Sequence, residues 1–231
     1  MRPRTPPIIV ASTGRSGSTL LRDAIRESLA QSWRAAPNFV AYRLCSRGAF
    51  RPEGMHFKQG LVYKTHAPIS AFPLDSQVRI VFIYGPASDA ALSVLAQDTR
   101  HGREWTEAHL RHLYISDTVE NVRQELVSRD ALQLESQVQA FRGHEGPRRL
   151  VVKYETLWNH VEEVADYVGL PIALPPQKSR RSAQDVPPEI VREVKENYRE
   201  IDCQFDKNPE VEFCGKFVDP RLPKTQERPL D

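Results

Sequence analysis

Ile8-Ile9-Val10-Ala11-Ser12-Thr13-Gly14-Arg15-Ser16-Gly17-Ser18-Thr19-Leu20-Leu21 opens with an apolar run preceded by proline and then turns through two glycines. The run reads as a buried strand. The turn leads into a helical pattern in which Leu21, Ile25 and Leu29 recur every four residues. Backbone N–H groups in such a turn and at the helix start have no partners of their own, so they cradle an anion. Gly14 and Gly17 let the backbone bend and come close to it. Ser18 and Thr19 add hydroxyl donors, and Arg15 adds a fixed positive fork. The stretch departs from a nucleotide P-loop. Ser12 stands where the first glycine belongs, and Ser18 where the lysine belongs.

Working outward, Leu61–Thr65 and Val78–Tyr84 read as further strands, the second almost wholly apolar, as in a parallel strand covered on both faces. Leu150–Lys153 reads as another. Helical patterns lie between them: Ser88–Leu95, a long stretch from Thr106 to Phe141 closed by Gly143, a helix starting at Thr156 and one over Pro187–Tyr198. Residues 32–59 read as a loop-rich connection. Alternating strands and helices predict an α/β fold, a doubly wound parallel sheet with a P-loop-like loop, flanking helices and a helical insert at about 104–143. One domain is expected over residues 1–231, with a loosely ordered tail from about Asn208. In such sheets ligands sit beyond the carboxyl ends of the strands. The cradle, Lys64-Thr65-His66 and the stretch Gly85–Ser93 all fall there.

These stretches carry a resemblance. Arg15-Ser16-Gly17-Ser18-Thr19-Leu20 resembles the 5′-phosphosulfate loop of sulfotransferases that use 3′-phosphoadenosine-5′-phosphosulfate (PAPS). Lys64-Thr65-His66-Ala67-Pro68 resembles the segment bearing their catalytic histidine. Val78–Tyr84 followed by Asp89–Ser93 is similar to their 3′-phosphate element, and Val151–Leu157 to a later strand-to-helix junction. The resemblance spans residues 7–170. It implies transfer of a sulfuryl group from PAPS to a hydroxyl or amine of a small-molecule or glycan acceptor, leaving adenosine 3′,5′-bisphosphate (PAP). It implies His66 as general base, with Arg15 and Lys64 on the reacting group. Gly14, Arg15, Ser16, Gly17, Ser18, Thr19 and Ser93 would hold the donor. The element departs from the family at Gly85, where an arginine is expected. Arg180 or Arg181 is the substitute the family suggests; Arg100 and Arg103 are others.

The chemistry agrees with the residue types. Histidine titrates near neutrality and can take an acceptor's proton. Taken alone, His66 reads rather as a strand-end histidine bonded to a carbonyl; beside the cradle it reads as the base. No metal is needed. His109 and His112 lie three apart but without a carboxylate or cysteine pattern, and read as exposed helix histidines. Two other readings stay open: a P-loop phosphoryl transferase, which would want a lysine where Ser18 stands, and a diverged relative that binds nucleotide without catalysis.

With 40% hydrophobic and 27% charged residues and a net charge of +2, nothing draws the chain to nucleic acid or to a membrane surface. No apolar run reaches membrane-spanning length. Cys45, Cys203 and Cys214 read as free thiols in a reducing compartment, a Cys203–Cys214 bridge being compatible. A cytoplasmic protein is expected.

Overall fold

A computed structural model describes residues 5–33, 38–72, 78–115, 121–179 and 182–215, without the side chains of 38, 39 and 182. Its centre is β1 (Ile8–Ser12), every residue of which is buried. Ile8, Ile9, Val10 and Ala11 are fully enclosed because strands pair with β1 on both sides and helices cover both faces. Burying each of the larger side chains contributes about 2 kcal/mol.

Six strands form one sheet in the order β2-β3-β1-β4-β5-β6 among the described residues. β2 (Ser46–Gly48), β3 (Val62–Thr65), β1, β4 (Arg79–Tyr84) and β5 (Arg149–Lys153) run parallel; β6 (Val211–Cys214) pairs antiparallel with β5. Val10 lies opposite Lys64, and Ser12 opposite Ile83. The carboxyl ends of β3, β1 and β4 therefore meet at one edge. After β1 the chain turns toward β2 and β3; after β4 it turns toward β5. Strand order thus reverses between β1 and β4, the place where such sheets open a crevice.

Among the described residues the α-helices are α1 (Ser18–Ser32), α2 (Asn38–Leu44), α3 (Ala87–His101), α4 (Arg103–His112), α5 (Val122–Ser128), α6 (Leu134–Gly143), α7 (Val161–Val168), α8 (Pro188–Asn197) and α9 (Arg199–Lys207). Leu21, Ile25 and Leu29 bury the inner face of α1 as their spacing predicts. The predicted helical stretch from Thr106 to Phe141 resolves into α4, α5 and α6. Phe141 of α6 stacks on Phe82 of β4, ring centroids 3.8 Å apart. None of the helices described is long and apolar enough to cross a membrane.

Several details differ from the sequence reading. Residues 32–59 hold α2 and the edge strand β2, whose Ser-Arg-Gly carries no strand signal and forms by pairing with β3. The expected loose tail gives way at its start to β6, held by β5. The helix expected from Thr156 begins at Val161, after a run of turns. Gly143 is the last residue of α6 and not a left-handed C′ glycine. Cys45, Cys203 and Cys214 are all free.

Candidate active site

Ser12 ends β1, and residues 13–17 turn back to α1 with φ of 81° at Gly14, 56° at Arg15 and 81° at Gly17. A chain of hydroxyls fixes this turn. Thr13 Oγ1 bonds Ser16 Oγ at 3.0 Å, and Ser16 Oγ donates to the Gly14 carbonyl at 3.0 Å. Ser12 Oγ donates to Ser18 Oγ (3.0 Å) and accepts from the Gly14 N–H (3.2 Å). Ser18, expected to offer its hydroxyl to a ligand, and Ser16, expected to hold the donor, thus engage their hydroxyls within the turn. Both residues still line the cleft.

Gly17 is required by what lies over it. A Cβ there would fall 2.2 Å from two ring carbons of Tyr154. The left-handed φ adds strain for any side chain. Tyr154 follows β5, and its N–H donates to the Tyr84 carbonyl at 2.7 Å, which seats the ring against the loop.

Beyond the loop opens a cleft of about 960 Å³. Arg15, Lys64, His66, Trp105, His109 and His112 lie on its wall. Lys64 Nζ donates to Thr19 Oγ1 at 2.9 Å, which sets the ammonium beside the start of α1. Burial, then the charges of Arg22 and Arg15, lowers its pKa from the usual lysine value. Arg15 leaves the loop sideways: its Nε donates to Ser93 Oγ on α3 at 2.8 Å, and its guanidinium carbon stands 6.0 Å from the Trp105 ring centre.

His66 follows β3 and is 8% exposed. Its Nδ1 lies 3.1 Å from the Ser12 carbonyl oxygen and 3.0 Å from Ser12 Oγ. A carbonyl only accepts, so the proton belongs on Nδ1 and the lone pair on Nε2. The strand-end, carbonyl-bonded histidine and the cleft histidine are therefore one and the same. Burial, then Lys64 and His109, holds its pKa down at about 3.

His109 and His112, expected as exposed helix histidines, face the cleft. His109 is 8% exposed, stacks on Trp105 with centroids 5.1 Å apart, and lies 5.9 Å from the His66 ring. Burial and Arg15 lower its pKa to about 4. His112 stacks on Phe50 at 4.2 Å, and burial lowers its pKa too. Among the described residues no three His, Cys, Asp or Glu side chains group as metal ligands would.

The second expected element is arranged differently. Ser93 is buried and bonded to Arg15. The first N–H groups of α3 are taken by a carboxylate of the chain itself: Asp202 Oδ1 accepts from Ala87 N (2.6 Å) and Ser88 N (3.3 Å). Arg100 pairs with Asp185 at 2.5 Å and Arg103 with Glu107 at 2.7 Å, both on the surface. Arg180 and Arg181 lie outside the described residues.

Sequence reasoning missed Tyr154, Trp105 and His109. Two signals pointed there. Trp105, His109 and His112 recur at i, i+4 and i+7, one helix face. Tyr154 stands just past the carboxyl end of a parallel strand.

No family model matches the chain, and no curated protein does. Solved structures are similar to it. One is retinol dehydratase in complex with androsterone and the inactive cofactor PAP: 13% identity over 96% of this chain and 85% of that one, TM-score 0.47. A second is retinol dehydratase with retinol and PAP: 17% identity, 87% and 71% covered, TM-score 0.42. A third is the mouse sulfotransferase SULT7A1 complexed with PAP: 12% identity, 96% and 75% covered, TM-score 0.42. The likeness is one of fold.

Proposed function

We propose that the chain transfers a sulfuryl group from a nucleotide 5′-phosphosulfate, PAPS by its family resemblance, to a hydroxyl of a small-molecule or glycan acceptor. The observation that carries this reading is the meeting of an anion cradle, a lysine and a histidine of fixed tautomer in one cleft. The fit is sound on the donor side. The Gly14 N–H is held by Ser12 Oγ, so the backbone donors come from the turn beyond it, Ser16 to Thr19, which lines the cleft at the start of α1.

In the reaction the acceptor oxygen bonds to sulfur while the bond from sulfur to the nucleotide's phosphate oxygen breaks. The acceptor proton passes to His66 Nε2. The Ser12 carbonyl holds Nδ1–H and steadies the imidazolium that forms. Negative charge grows on the departing phosphate oxygen, where Lys64 and the loop N–H groups stabilise it. Arg15 adds a further fixed charge to the same cleft.

His66→Ala tests the reading. Donor-product binding, measured by calorimetry with PAP, should persist. The rate constant kcat should fall by ~10²–10⁴-fold with little change in the donor KM. A variant that binds PAP and turns over at the wild-type rate removes His66 from the mechanism. Thermal stabilisation by ATP with magnesium but not by PAP would favour a phosphoryl transferase instead.

A further inference from the structure

A donor of the proposed class carries two separated anionic groups, and each is best met by its own cation. Among the described residues, Arg15 and Lys64 are the arginine and lysine on the cleft wall, and they divide. Lys64 stays with the loop, its Nζ on Thr19 Oγ1. Arg15 belongs to the loop by sequence but is directed out of it. Its φ of 56° lies in the left-handed region, which L-residues adopt only under strain, and such strain persists where the surroundings hold it. What holds it is visible: Nε donates to Ser93 Oγ at 2.8 Å, and Ser93 is 5% exposed on a helix whose place is fixed by the core. This bond aims a guanidinium at α3.

Other means of meeting an anion at that side are spent. The N–H groups that open α3 already have the Asp202 carboxylate. Position 85 is a glycine. Arg100 and Arg103 hold Asp185 and Glu107. We infer that Arg15, aimed by Ser93, reads the 3′-phosphate of the donor in place of a cation at position 85, while Lys64 serves the 5′ side. The inference rests on the donor reading of the cleft given above.

The test compares PAP with adenosine 5′-monophosphate, which lacks the 3′ group, by titration calorimetry on the full chain. Wild type should bind PAP more tightly. In Arg15→Gln, PAP should weaken by about 10- to 100-fold, the worth of one charge-assisted contact, and the monophosphate by less than about 3-fold. Arg15→Gly, which relieves the left-handed φ, should show the same selective loss and guards against a folding defect. Ser93→Ala should lose part of the preference. Equal losses for both nucleotides in both Arg15 variants would assign Arg15 to the 5′ side and overturn the inference. So would a preference that survives at Arg15 and disappears in an Arg180→Ala, Arg181→Ala double variant. Wild type binding both nucleotides equally sinks the inference and leaves the donor reading standing; wild type binding neither sinks both.

Discussion

At the scale of the residue, two atoms' worth of space governs the loop. Gly17 lies so close to the Tyr154 ring that a single methyl overlaps two of its carbons. Gly17→Ala must therefore shift the ring or the turn and also bear the left-handed backbone. Each effect costs about 1–3 kcal/mol. The expected outcome is a loss of about 2–4 kcal/mol in denaturant unfolding together with weakened PAP binding. The steric share is separable. In a Tyr154→Ala background the same substitution should cost measurably less, because the overlap is gone and only backbone strain remains. Additive losses would show that the ring does not set the loop. His66 is governed as closely. Its low pKa comes from burial and from Lys64, so the ligand-free chain keeps Nε2 unprotonated well below the ordinary histidine range. The acid limb of kcat/KM for the donor should accordingly lie below pH 6.5. The limb for the acceptor, which reports the donor-loaded form, should lie higher, since an anion beside Lys64 offsets the charge that depresses the histidine. Coincident limbs would count against His66 as the titrating base.

At the scale of the element, α6 shows how a helix end is closed without the glycine its sequence suggests. Arg149 is wholly buried on β5, and its guanidinium bonds the carbonyls of Phe141, Arg142 (3.4 Å), His144 (2.8 Å) and Pro147 (3.2 Å). A buried cation thus satisfies the orphan carbonyls of the last turn, where the helix dipole is negative. Arg149→Met keeps the stem and leaves these acceptors unpaired in the interior. It should cost on the order of 3 kcal/mol or more, read as a lower urea midpoint with an unchanged slope; a change below about 0.5 kcal/mol would mean that water replaces the guanidinium. The legibility of the elements follows the same division between local and distant causes. β1, β3, β4, β5 and α1 were readable because their patterns are set by burial on a sheet and recur along the chain. The turn after β1 was readable because Gly14 and Gly17 mark a local change of backbone direction. β2, β6, the cap by Arg149 and the plug by Asp202 were not, because each depends on a partner far away in sequence. The site divided likewise. His66 and Lys64 follow from their place at a strand end. The reach of Arg15 to Ser93 across 78 positions, and the closure of Tyr154 over Gly17, needed the fold.

At the scale of the whole molecule, the cleft makes the fold sensitive to acid. His66 and His109 are both buried beside cations, with pKa values near 3 and near 4 against an ordinary 6.5. As pH falls below 6.5 the unfolded chain takes up a proton at each position and the folded chain does not. Stability therefore declines through the window from 6.5 down to about 4 for His109 and about 3 for His66, and is complete above it. At pH 5 each histidine has removed about 2 kcal/mol relative to pH 7.5, a large part of a typical folding free energy. His160 opposes this, since its bonds to Glu163 and Glu210 raise its pKa, but that pair is at the surface and screened. Comparing the change between the two pH values in wild type and in His109→Gln cancels such background groups. Wild type should melt about 8–16 °C lower at pH 5 than at pH 7.5 from the two cleft histidines together. His109→Gln should recover about 4–8 °C of that difference. An anion in the cradle should recover part of it too, because it offsets Arg15 and Lys64 and lets the histidines take up protons in the folded state. Calorimetry of PAP binding at pH 5.5 in two buffers of different ionisation heat should then show net proton uptake by wild type and less by His109→Gln. Equal heats in the two buffers, with an unaltered pH dependence of melting in the variant, would separate these histidines from the anion site.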